Sequence, residues 1–125
     1  MANNQKLKYP EIKEKAKAYL LQNDYENSLS FYKKCEGLFK EESYEAREKS
    51  VVFLNICICF MNMKKNNEAE LYADKSIECD GSYVKAYYRK AILLKINEKY
   101  EEAIEICKNA MKIEKNQEIF MLMVF

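Results

Sequence analysis

The sequence predicts an all-α protein of stacked helix pairs, on three observations. Its 125 residues include 2 glycines and 1 proline, too few for the corners that a β-rich fold must turn at each strand end. Apolar residues make up 49%, ample for a core, and the length suits one domain. The pattern of small and large residues also recurs with a spacing of 34, the period of a unit made of two antiparallel helices.

The recurrence is anchored at Ala103 in Tyr100-Glu101-Glu102-Ala103. It returns at Asn67-Glu68-Ala69 and, more loosely, at Tyr25-Glu26-Asn27-Ser28, so the spacings are 41 and then 34 residues. Twelve residues before each anchor stands a small residue, Ala16, Cys57 and Ala91, and three further on a large one, Tyr19, Phe60 and Leu94. Four past each anchor come Tyr32, Ala73 and Cys107, and small residues return at Cys35, Ser76 and Ala110. Small set against large is what lets two helices interdigitate.

The elements follow in order. Pro10 opens a helix over 9–22, where its missing N–H would have had no intrahelical partner. Asn23-Asp24 breaks it and a second helix covers 25–40. The third spans 43–64 and ends at Lys65-Asn66-Asn67, and the fourth covers 67–79 before Asp80-Gly81. A fifth at 82–96 stops at Asn97-Glu98, a sixth covers 99–113, and a short seventh at 116–125 caps the apolar face that a repeat stack leaves open. The apolar end, Phe120 to Phe125, is about a third of a membrane-spanning length, and no stretch reaches the roughly 18 apolar residues a span needs. Met1 to Pro10 is polar and lacks a signal-peptide core.

On these residues the chain resembles the tetratricopeptide repeat family from about Tyr9 to Lys115, most clearly in the third unit, Ser82 to Ala91 followed by Tyr100-Glu101-Glu102-Ala103. The resemblance implies three helix-turn-helix pairs wound as a right-handed superhelix with a short C-terminal capping helix. Residues 1–8 are expected to be a flexible segment and 9–125 the repeat domain, with repeats at about 9–42, 50–81 and 84–115 and the cap at 116–125. Two features depart from the family pattern. Gly81 and Lys115 stand where the usual inter-repeat proline would, and seven extra residues separate the first two units. That insertion, around Phe39 to Lys49, is rich in Glu, Lys and Ala and is expected to lengthen the helices on either side, as in the immunophilin branch, whose members are peptidyl-prolyl isomerases. The chain would then be a piece of a longer protein, such as an isomerase.

Residue chemistry points away from catalysis. There is no histidine, no Gly-rich phosphate loop, and no nucleophile with a base beside it. No cofactor is expected. Lys+Arg 21 against Asp+Glu 20 gives a net charge of +1, which attracts neither nucleic acid nor anionic membrane. The 5 cysteines are odd in number and fall in helical surroundings, which argues for a reducing, cytoplasmic setting over a disulfide framework. Cys57 and Cys59 point about 200° apart on a helix and cannot share one metal ion. Cys35, Cys57 and Cys107 fall on small-residue packing positions, so no metal site is assigned.

The first helix of each pair lines the concave surface of such a stack, so polar residues projecting there are candidates for ligand contact. Lys13 and Lys17 lie four apart on the first inner helix, and Lys85 and Arg89 four apart on the third, each pair side by side. Asn55 interrupts the apolar run from Val51 to Met61 on the second. The family resemblance implies that Lys13, Asn55, Lys85 and Arg89 form a carboxylate clamp for the Glu-Glu-Val-Asp tail of a ninety- or seventy-kilodalton heat-shock chaperone, making this the docking module of a co-chaperone. Lys17 replaces the usual asparagine of that clamp. Leu20, Ile58 and Met61 are expected to seat the branched side chain beside the terminal aspartate. The competing reading is a scaffold or adaptor that holds an unrelated peptide or helix.

Overall fold

The computed structural model describes residues 7–125. It contains seven helices: α1 (Tyr9–Leu21), α2 (Tyr25–Leu38), α3 (Ala46–Asn62), α4 (Asn66–Cys79), α5 (Val84–Ile96), α6 (Tyr100–Ile113) and α7 (Gln117–Val124). Residues 1–6 of the expected flexible segment lie outside the described residues. The most extensive contacts join α1 to α2, α3 to α4 and α5 to α6, and α7 rests on α6 and α5. Among the odd-numbered helices, α3 also touches α5, and α5 touches α7. The stack therefore closes toward that side, and α1, α3 and α5 form its inner wall.

The pairs interlock at the residues the period singles out. Ala16, Cys57 and Ala91 have no solvent exposure, and neither do Ser28, Ala69, Ala73, Cys35, Ser76 and Ala110. A side chain no larger than these lets two backbones approach closely, and the polar members use that proximity. Ser28 donates from Oγ to the Ala16 carbonyl at 2.9 Å, closing α2 onto α1. In the second pair Ser50 donates to the Ser76 carbonyl at 2.7 Å and Ser76 donates back to the Ser50 carbonyl at 2.7 Å. These buried hydroxyls are satisfied by backbone of the facing helix, so they cost little of what a buried polar group otherwise would.

Each pair turns on the same backbone device. Asn23, Lys64 and Glu98 have φ of 61°, 62° and 62°, the left-handed conformation, and their spacings repeat the 41 and 34 of the sequence. The residue after each donates its N–H to a carbonyl five positions back, Asp24 to Tyr19 at 2.9 Å, Lys65 to Phe60 at 2.9 Å and Lys99 to Leu94 at 2.8 Å. This is the Schellman arrangement that usually recruits glycine. A Cβ there costs an L-residue roughly 1–2 kcal/mol.

The insertion behaves differently from the expectation that it lengthens both neighbours. Helix α2 is 14 residues long, as are α4 and α6; only α3, at 17 residues, is extended. Residues 39–45 form a loop instead, because aromatic packing wins over the helix propensity of the intervening Glu and Lys. Phe39 and Tyr44 meet at 5.1 Å between ring centroids, Tyr44 meets Tyr9 at 4.6 Å, and Phe39 packs edge-on to Phe53 at 5.7 Å. The cluster pins the loop over the starts of α1 and α3.

Two substitutions, each paired with a control, test this packing by urea denaturation. Lys64→Gly should raise stability by about 0.5–1 kcal/mol by relieving the left-handed turn, and the same change at exposed Lys108 in the middle of α6 should lower it. Ala91→Leu should lower stability by about 1–3 kcal/mol through overpacking, whereas Ala18→Leu on the exposed face of α1 should be nearly neutral.

Candidate carboxylate-binding face

The five polar residues expected to grip a ligand all lie on the inner helices, Lys13 and Lys17 on α1, Asn55 on α3, Lys85 and Arg89 on α5. Lys17 and Lys85 are exposed; Lys13, Asn55 and Arg89 are half-buried. Leu20, Ile58 and Met61 are half-buried and pack on the edge of the core while keeping surface open to solvent.

Asn55 and Arg89 are 34 apart and so hold the same position in successive repeats. Glu14 is their counterpart on α1, 41 residues before Asn55. Asn55 is oriented from beneath: its Nδ2 donates to the Tyr32 hydroxyl at 3.1 Å, and Tyr32 is fully buried on α2. Burial raises the Tyr32 hydroxyl above its ordinary range, with the bond from Asn55 pulling the other way. An amide fixed in this manner presents a carbonyl oxygen and a second N–H at a defined angle, ready for a polypeptide's own donor and acceptor groups.

Lys85 and Arg89 stand one helical turn apart on α5, and among the described residues neither has a carboxylate within ion-pairing distance. Arg89 lies 5.8 Å from the Tyr88 ring centroid. Its charge also reaches α3, where it opposes the burial that pushes the Cys57 thiol up to about 12. Lys85 borders a cleft of about 290 Å³ where the starts of α3, α5 and α7 converge, lined also by Arg47, Tyr83, Tyr88 and Glu118. Two adjacent cations without a carboxylate partner have the chemistry to hold an anion, and a guanidinium can fork onto a carboxylate.

The cations of α1 are situated otherwise. Lys13 Nζ lies 2.7 Å from Glu48 Oε2 on α3, and the Tyr9 hydroxyl donates to the same oxygen. Burial alone would push the Glu48 carboxyl up, but the hydrogen bonds from Lys13 and Tyr9 and the charges of Lys13 and Lys17 outweigh it, so the group sits below its ordinary range. Lys17 makes only a long 3.7 Å pair with exposed Glu14 on its own helix. Sequence reasoning had no route to Glu48, because an ion pair across 35 residues leaves no periodic trace. Tyr32 was legible as a packing residue but not as the support of Asn55. Glu14 could have been found from the repeat offset.

The remaining chemistry is quiet. All 5 cysteines are free thiols, 4 of them buried; burial raises Cys35 to about 11 against the pull of Lys13. Among the described residues no three His, Cys, Asp or Glu side chains gather as metal ligands. No described helix is long and apolar enough to cross a membrane.

Comparisons with known proteins agree with this architecture. Tetratricopeptide repeat models match residues 14–42 and 72–105, together about half of the chain, and the chain belongs to the tetratricopeptide repeat family. It is 25% identical over 114 residues to protein unc-45 homolog B of Xenopus laevis, covering 91% of this chain. It spans only 12% of that relative's length. Among solved structures it is similar to the first such domain of Spaghetti (RPAP3) bound to the HSP90 peptide SRMEEVD, with a TM-score of 0.81 and 24% identity, covering 94% of this chain and 88% of that one. It is also similar to the TPR2B domain of yeast Sti1 in complex with an Hsp70 peptide, with a TM-score of 0.79 and 23% identity, covering 93% of each chain.

The rim of the face yields a pH prediction. Arg47 on α3 donates from Nε to Asp80 Oδ2 at 2.6 Å, and Ser82 donates to Asp80 Oδ1 from its hydroxyl at 2.7 Å and its backbone N–H at 3.0 Å. The Ser82 hydroxyl first, then Arg47, depress the Asp80 carboxyl from 3.8 to about 2. A depressed carboxylate stabilises the fold above its unfolded pKa and loses that contribution as pH falls through the folded value. Asp80→Asn should therefore lower the melting temperature at pH 6, and the difference from the parent should shrink between about pH 4 and pH 2, as followed by circular dichroism.

Proposed function

We propose that this domain is a non-catalytic docking module of a cytoplasmic co-chaperone. Its ligand is the acidic tail, Glu-Glu-Val-Asp, of a ninety- or seventy-kilodalton heat-shock chaperone, held by a carboxylate clamp of Lys13, Lys17, Asn55, Lys85 and Arg89. The observation that carries this reading is the pair Lys85 and Arg89, adjacent on α5 and free of any carboxylate among the described residues, with Asn55 at the Arg89 position of the preceding repeat and held by Tyr32.

The chemistry matches. A terminal aspartate presents two carboxylates, which charge-assisted hydrogen bonds from Arg89 and the lysines satisfy in geometries that a neutral groove cannot supply. Asn55 is the one site member able to donate and accept, as a peptide backbone requires. Leu20, Ile58 and Met61 provide an apolar seat for the valine. That similar domains of Spaghetti (RPAP3) and Sti1 are described with bound HSP90 and Hsp70 peptides supports the assignment of ligand class. Lys17, a cation in place of the family's asparagine, adds attraction for a tail with several negative charges.

Calorimetric titration with a tail peptide tests the proposal. Lys85→Ala or Arg89→Ala should weaken binding roughly tenfold to a hundredfold, equivalent to about 1.5–3 kcal/mol, with helical content unchanged. Amidating the peptide's C-terminus should abolish most of the affinity, and raising salt from 0.1 M to about 0.5 M should reduce it, since exposed charges are screened within about 10 Å at the lower value. Binding that survives amidation and salt would instead mark an adaptor for an apolar helix.

A further inference from the structure

We infer that Glu48 is an internal carboxylate ligand of the tail site, seated on Lys13 in competition with the incoming peptide, so that removing its charge tightens tail binding. This rests on the reading of the face as a carboxylate receptor.

Glu48 belongs to the extra turn that the insertion adds to α3, which begins at Ala46, whereas the second repeat is reckoned from residue 50. In the unextended pairs, α1 and α5 begin at the first residue of their repeats, Tyr9 and Val84. The added turn thus delivers a carboxylate that the unextended helix would lack, and delivers it onto a cation of the receptor. Oxygen Oε2 of Glu48 takes both the Lys13 ammonium at 2.7 Å and the Tyr9 hydroxyl, the kind of donor set that a peptide carboxylate would need. Tyr9 in turn packs against the tilted ring of Tyr44 in the inserted loop. The device is assembled wholly from the insertion and the wall it touches.

The other ion pairs of the described residues point elsewhere. Arg47 pairs with Asp80 and Lys90 with Asp74, while Lys33 and Lys75 both reach Glu36; none of these cations belongs to the proposed clamp. Lys17 holds Glu14 only loosely. An arriving tail therefore finds Lys17, Lys85 and Arg89 open and Lys13 occupied. It meets a fixed negative charge beside the position its own carboxylates must take, and like charges placed together disfavour the wrong occupant strongly. Side-chain exposures of 27% for Lys13 and 29% for Glu48 leave the pair within reach of water, so it can open to admit a competitor.

The test is calorimetric titration of the full chain with the peptide Ser-Arg-Met-Glu-Glu-Val-Asp, comparing the parent with Glu48→Gln, Glu48→Asp, Lys13→Ala and the Lys13→Ala/Glu48→Gln double variant. Glutamine keeps the shape and still accepts from Tyr9. Glu48→Gln should tighten binding on the order of fivefold, and Glu48→Asp, too short to span the distance to Lys13, should tighten it by a smaller factor. Neutralising exposed Glu45 three residues away, as Glu45→Gln, should change affinity by less than about twofold, which separates seating on Lys13 from a general change of charge. Lys13→Ala should weaken binding in both backgrounds, roughly tenfold in Glu48→Gln and by a smaller factor in the parent, where Glu48 already occupies the ammonium. Should the parent bind while Glu48→Gln binds equally or more weakly with its helical content intact, Glu48 is only a brace between α1 and α3. Glu48→Asp gives the same decision if glutamine impairs folding. Binding by neither the parent nor any variant removes the receptor reading itself, and this inference with it.

Discussion

Everything in this molecule depends on how closely the two helices of each pair can approach. Alanine, serine or cysteine at Ala16, Cys57 and Ala91 and at the facing anchors Ser28, Ala69 and Ala103 leaves no side chain bulky enough to hold the backbones apart, and all six are buried. Close pairing sets the spacing between α1, α3 and α5. That spacing in turn decides whether an amide on one inner helix and a guanidinium on the next can serve one ligand. The three left-handed turns at Asn23, Lys64 and Glu98 return each chain segment at the same angle, so the units stack in register although two of those turns carry a long charged residue where glycine would be less strained.

The insertion between the first two pairs perturbs this regular frame, and it does so on the side of the inner helices. One turn added to α3 sends two neighbouring charged residues in opposite directions. Glu48 reaches back to Lys13 and Tyr9 on α1. Arg47 reaches forward to Asp80 and Ser82 and lies 4.7 Å from the Tyr83 ring centroid. The same turn ties all three repeats together and neutralises a cation on α1.

Away from that turn, polar groups in the interior are consumed by structure. Ser28, Ser50 and Ser76 bond to backbone of the facing helices, and burial holds the thiols of Cys35 and Cys57 protonated at neutral pH. On the outer side, Tyr72 of α4 accepts from Lys33 and donates to Glu36 of α2, bracing successive pairs. On the inner helices Asn55 keeps hydrogen-bonding capacity beyond its bond to Tyr32, and Lys85 and Arg89 have no carboxylate partner among the described residues.

The sequence by itself determined the helices, their pairing and the residues at which they cross, because those features are periodic: a small residue every 34 or 41 positions has one packing explanation, and Ala91, Cys57 and Ala16 are all buried as that explanation requires. It also indicated the polar members of the inner wall, since four-residue spacing places Lys85 beside Arg89 on any helix. What only the tertiary structure decided is which of those groups are free. Lys13 and Lys85 read alike in the sequence, yet among the described residues one is neutralised by Glu48 and the other has no carboxylate partner, and the support of Asn55 by Tyr32 joins elements 23 residues apart. The sequence predicts helix at residues 39–40 and 43–45, where the structure has a loop, for the same reason. Its conformation is set by aromatic contacts with Tyr9 and Phe53, distant in the chain, whose energies outweigh the local propensity that a sequence displays.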